Sequence, residues 1–113
     1  MMMLELDVEP HQHVALRYPI PWHGWVWFTV TVDAPVSTYV VTDDGLAGFR
    51  RGDEEFRMYG GFTNTRRRLH QQTVQICESG GRSSGYDKWN LVIANWDKKR
   101  PVHVCYEAGT GFC

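Results

Sequence analysis

An all-β antiparallel sandwich of about eight strands with one short helical turn is the fold this sequence predicts, and three observations predict it. Apolar and polar residues alternate with period two through most of the chain. The alternating runs are rich in Val, Thr, Ile and aromatic residues, and Gly, Pro, Asn and Asp separate them about every 8–12 residues.

The elements follow in order. Leu4, Leu6 and Val8 alternate with acids, and Val14 and Leu16 alternate again, so residues 4–8 and 13–17 read as half-buried strands. Pro19 and Pro21 then interrupt regularity, which leaves the placement of residues 1–24 open. Residues 25–32 are the strongest strand, with Val26, Phe28, Val30 and Val32 on one face and Trp25, Trp27, Thr29 and Thr31 on the other. Asp33-Ala34-Pro35 is a turn, and 37–42 is a strand of β-branched residues. Over residues 43–51, Asp43 or Asp44 can cap a helical turn, Leu46 and Phe49 fall on one side, and Gly52 can end it. Residues 55–59 read as a short strand, and 69–77 as another with Val74 and Ile76 on one face. The 79–85 segment is a loop by composition, 89–94 a strand with Trp89, Leu91 and Ile93 inward, 95–101 a polar hairpin connection, and 102–106 the closing strand.

The length of 113 residues suits one domain and excludes a two-domain enzyme. With 42% hydrophobic and 22% charged residues the chain is globular and not disordered. The net charge of −1 argues against a general attraction to nucleic acid or an anionic membrane. Charge is nonetheless uneven: residues 1–49 hold one Arg against six acids and residues 50–113 eleven Lys and Arg against seven. Such a split permits head-to-tail contact between copies. Cys77, Cys105 and Cys113 show neither a disulfide framework nor zinc-finger spacing, and the acidic N-terminus lacks the features of an export signal. Reduced thiols, a cytoplasmic location and no membrane-spanning segment are expected.

One stretch carries a resemblance. Residues 36–59 (Val-x-x-Tyr-Val-Val, then Phe-Arg-Arg-Gly and Tyr), Gly60-Gly61, and the later Trp89-x-Leu-Val-Ile pattern with its Pro-Val-x-Val-x-Tyr strand resemble a group of small bacterial β-sandwich domains of largely uncharacterised function, which occur alone or beside peptidase or signalling domains. The likeness spans roughly residues 25–107. It implies a sandwich fold and a binding role, with no catalytic signature to carry over.

Candidate chemistry is sparse. His11 and His13 sit two apart and would share a strand face, with His23 or His103 as a third ligand for a metal-dependent enzyme, but nothing in the spacing makes them converge. Cys105 follows His103 by two, a spacing of roughly 7 Å along a strand that is too long for a hydrogen bond. Gly80-Gly81-Arg82-Ser83-Ser84-Gly85 lacks the context of a phosphate loop. Arg66, Arg67 and Arg68, with Arg50, Arg51 and Arg82, offer a basic rim for an anion or an acidic partner, although Asp53, Glu54 and Glu55 compete for Arg50 and Arg51. Trp22, Trp25, Trp27 and Trp96 exceed what a small core holds, so the N-terminal segment covers Trp25 and Trp27 or they form an exposed patch.

The expectation is a non-catalytic interaction module, not an enzyme, with no cofactor and no metal. It would bind a protein partner or another copy through Trp22, Trp25 and Trp27 and the Arg rim. The alternative is a receptor for a sugar or a phosphorylated ligand, held by aromatic and Arg side chains at a loop end.

Overall fold

The computed structural model describes residues 3–19, 24–63, 66–75 and 88–112. Trp22, His23, Cys77, Arg82, Cys113 and the 79–85 loop lie outside them. The alternating runs form β1 (Leu4–Val8), β2 (His13–Pro19), β3 (Gly24–Val32), β4 (Ser37–Thr42), β5 (Gly60–Phe62), β6 (Leu69–Gln75), β7 (Lys88–Ala94) and β8 (Val102–Phe112), with α1 (Asp43–Arg50) between β4 and β5. Two antiparallel sheets result, ordered β1-β8-β3-β6 and β2-β7-β4-β5. Every connection changes sheet except the one through α1, which is the strand order of an eight-stranded jelly roll.

The core lies where the alternation puts it. Val26, Phe28, Val30 and Val32 of β3 and Val102, Val104 and Tyr106 of β8 meet Val40 of β4 and Trp89, Leu91 and Ile93 of β7. Trp89 stacks on Tyr18 with ring centroids 5.0 Å apart. All six residues of β4 are buried, because its other face is covered too. Leu46 and Phe49 of α1, with Phe56 from the segment that follows, pack on Tyr39, Val41, Val92 and Ala94 to make a second, smaller core outside the β2-β7-β4-β5 sheet. Trp96 covers its rim, edge-on to Phe49 and donating from Nε1 to Ser37 Oγ at 3.1 Å.

Several local expectations need correction. The helix has Thr42 at its N-cap with no side-chain cap bond, and Asp43 turns to Arg17 and Asn90, tying α1 to β2 and β7. Burial would raise the Asp43 carboxyl, but those two hydrogen bonds and the charges of Arg17 and Lys88 outweigh it and hold it below its ordinary value. Gly52, at φ 78°, does end the helix, its N–H donating to Phe49 O at 3.1 Å. Residues 55–59 are irregular, since they follow the outside of the second core, and the strand begins at Gly60. The 95–101 connection is an arch and not a hairpin: β7 and β8 lie in different sheets. Buried Asn95 holds the arch by donating from Nδ2 to Val8 O at 3.0 Å and Arg100 O at 2.8 Å. Leu4 is half exposed at the free edge of β1, and β8 runs on past Gly109 and Gly111 beside β3.

The β5 and β6 edges are joined by polar bonds that the alternation did not show. His70, fully buried on the inner face of β6, reaches across to Thr38 Oγ1 with Nδ1 (2.9 Å) and to Arg67 O with Nε2 (3.0 Å). The carbonyl can only accept, so Nε2 carries the proton and Nδ1 accepts from the hydroxyl. Gln72 Oε1 accepts from Gly61 N at 2.8 Å. Gly61 has φ 128°, and a Cβ there would stand 2.1 Å from Thr38 O.

Two outcomes follow for stability. Gly61→Ala should cost at least ~2 kcal/mol in urea unfolding, from positive φ and collision with Thr38, whereas Gly111→Ala, with open space around it, should stay within about 0.5 kcal/mol. Burial holds the His70 imidazole below its ordinary value of 6.5, with the Arg67 charge acting the same way. The unfolded chain therefore takes up a proton near pH 6.5 that the folded chain refuses, and the stability His70 gives at neutral pH declines as pH falls from 6.5 to its lower folded value. His70→Gln should cost about 1–2 kcal/mol at pH 7.5, and the gap to wild type should narrow by pH 5; a gap that stays constant would contradict this.

Candidate functional site

The two outer faces differ. One is sealed by α1, while the face of the β1-β8-β3-β6 sheet carries outward side chains with no layer over them among the described residues. Register orders this face into rows. Trp25 lies between Gly111 and Gln75, Trp27 between Gly109 and Thr73, Thr29 between Glu107 and Gln71, and Thr31 between Cys105 and Leu69. On β1, Glu5 extends the Thr31 row opposite Cys105, and in the next row His103 faces Asp7.

At one end the face is aromatic. Trp25 is 37% exposed, and Trp27 is half-buried because its indole lies against Gly109, where a Cβ would come within 2.9 Å of Cζ2. The N-terminal strands do not cover this pair: β1 takes the free edge of β8, and β2 belongs to the other sheet.

The arginines do not form a rim around them. Arg50 and Arg51 end α1 on the far side of the sandwich; Arg50 Nε donates to His13 Nε2 at 3.2 Å and Arg51 pairs with Asp53 at 2.9 Å. Internal contacts thus take up both positions, Arg51 through its acidic neighbour as expected and Arg50 through His13 instead. Arg66, Arg67 and Arg68 precede β6 at the Thr31 end, about 20 Å along the sheet from Trp25. Arg67 lies over the Phe62 ring and Arg68 Nη1 donates to Asp33 O at 2.6 Å. A cleft of about 160 Å³ between α1 and residues 53–57 contains Arg51 and Arg57 but also Asp44, Asp53 and Glu55, a lining ill suited to an anion.

The histidines are redistributed as well. His11 occupies a turn at φ 59°, whereas His13 begins β2 and packs edge-on to Phe49, so the two do not share a strand face. Burial, with the Arg50 charge, lowers the His13 imidazole.

The other end of the bare face holds what spacing missed. His103 and Cys105 converge, with Nε2 and Sγ 3.8 Å apart, because the ring leans along the strand toward Glu5. Its Nδ1 bonds Asp7 Oδ1 at 2.8 Å, its Nε2 meets Glu5 Oε1 at 3.3 Å, and Cys105 Sγ donates to the same Glu5 oxygen at 3.5 Å. Hydrogen bonds donated to Asp7 and then Glu5 raise the imidazole, while desolvation and then Glu5 raise the thiol. Acid, imidazole and thiol stand in the order of a nucleophilic triad, yet a raised thiol on an open sheet is the reverse of an activated nucleophile. The signal that finds this group is strand register: β1 must pair with β8 before the four side chains share a surface.

No family model and no curated protein matches the chain. No helix among the described residues is long and apolar enough to cross a membrane.

Proposed function

We propose that the chain is a non-catalytic binding module that takes a saccharide on the bare sheet, at its Trp25–Trp27 end. The observation that carries this reading is a pair of indoles, Trp27 lying against Gly109 and Trp25 in register with Gly111, bordered by Thr73 and Gln75 on one side and followed by Thr29, Gln71 and Glu107. A pyranose offers an apolar C–H face, which stacks on an indole, and a ring of hydroxyls, which need both donors and acceptors. Thr and Gln side chains supply both, and Glu107 accepts. Trp25 and Trp27, two residues apart, give stacking positions about 7 Å from each other along β3. A standard protein interface wants about 800 Å² per partner around an apolar centre, and two indoles set among Thr and Gln offer little of that. The Arg groups on which the protein-partner reading relied stand elsewhere.

Titration of the ¹⁵N-labelled protein with neutral and acidic oligosaccharides tests the reading. The expected result is shifts at Trp25, Trp27, Gly109, Gly111 and Thr73, with at least a tenfold loss of affinity in Trp25→Ala at unchanged circular dichroism and no change in Arg50→Ala/Arg51→Ala. A panel without any binder, together with self-association that Trp25→Ala abolishes, would assign the face to a second copy instead. Binding lost only in Arg66→Ala/Arg67→Ala/Arg68→Ala would overturn the site.

A further inference from the structure

The far end of the same sheet presents three different donor atoms at metal-ligand spacing. Glu5 Oε1, His103 Nε2 and Cys105 Sγ form a triangle with edges of 3.3, 3.5 and 3.8 Å. Around a tetrahedral zinc, with bonds of about 2.0–2.1 Å to nitrogen and oxygen and about 2.3 Å to sulfur, the nitrogen–oxygen edge is about 3.3–3.4 Å and each sulfur edge about 3.5–3.6 Å. The measured triangle is within a few tenths of an ångström of that on every edge.

We infer that Glu5, His103 and Cys105 form a site for a zinc-class divalent cation, with Asp7 as the residue that positions the imidazole. Asp7 holds Nδ1 at 2.8 Å, which fixes the ring plane and directs Nε2 toward the other two donors, the arrangement by which a carboxylate supports a metal-bound histidine. An imidazolium between two carboxylates would explain the two His103 bonds without a metal; the thiol at the third corner is what such a pair does not require. One thiolate, one imidazole and one carboxylate suit zinc or cobalt and disfavour calcium and magnesium, which take oxygen ligands. Glu5 and His103 are exposed and Cys105 half-buried, so the fourth corner opens to solvent and holds water or an exchangeable ligand. Binding releases the Cys105 thiol proton, and the Nε2 proton where it is present. The ion would also clasp β1, a free edge strand, to β8, because Glu5 comes from the first and His103 and Cys105 from the second.

Cobalt(II) titration of the metal-free protein under reducing conditions tests this inference independently of saccharide binding. One equivalent should produce thiolate-to-cobalt charge-transfer absorption and the intense visible bands of a tetrahedral ion, both erased by zinc, and zinc should raise Tm. Cys105→Ser should abolish the charge-transfer band, Cys77→Ser/Cys113→Ser should keep it, and Asp7→Asn should keep it with affinity at least about tenfold weaker. A charge-transfer band that never forms, or one that survives Cys105→Ser and disappears in Cys77→Ser/Cys113→Ser, would overturn the site.

Discussion

Tyr39, Val41 and Val92 point away from the main core, and the need to bury them governs the rest of the molecule. They give the β2-β7-β4-β5 sheet a second apolar face, and among the described residues α1 and the chain that returns from it stand over that face, with Trp96 at its rim. Leu46, Phe49 and Phe56 are committed there, and among the described residues the opposite sheet has no such layer. Its outward residues are mostly ones that tolerate water, such as Thr29, Thr31, Gln71, Thr73 and Glu107, with the two indoles and Leu69 as apolar exceptions. Uncovered Trp25 is worth explaining for that reason, where an exposed residue such as Trp96, bonded to Ser37 and leaning on Phe49, is not.

The bare face is divided chemically along its strands. Trp25 and Trp27 occupy the end where β8 places glycine beside them, and the Trp27 ring lies against Gly109. Glu5, Asp7, His103 and Cys105 occupy the other end, where β1 joins the sheet. The Thr29–Glu107–Gln71 row lies between the two groups, while Thr31 shares its row with Cys105 and Glu5. Arg17 meets Asp43 and Arg51 meets Asp53, each pair within one half of the chain, while both sheets take strands from both halves.

Most of the fold was legible in the sequence because burial has a period. Val26-x-Phe28-x-Val30-x-Val32 and Val102-x-Val104-x-Tyr106 declare their inner faces, and Leu46 with Phe49 declares the helix. Failure came where pairing overrides pattern. Gly60-Gly61 looks like a strand terminus, yet it is the strand, since Gly61 fits against Thr38 where a larger residue would collide. Gly109 looks like a break, but β8 continues through it and Trp27 uses the space. His70 was invisible because its partner Thr38 is 32 positions away in the facing sheet. The same holds more strongly for the candidate site. Trp25 and Trp27 stand out by their alternation with Val26 and Phe28, whereas Glu5 and Cys105 are 100 positions apart and meet only through register.

The central claim is that one outer face is sealed and the other bare, and solvent paramagnetic relaxation measures it directly. With a neutral soluble spin probe, the Trp25 indole and the methyl groups of Thr29, Thr31 and Thr73 should relax strongly, while the methyl groups of Val41, Val92 and Ala94 on the opposite face should be protected to the level of Val30 in the main core. Protection of Thr29, Thr31 and Trp25 equal to that of Val92 would mean that this sheet is covered as well, and would contradict the account.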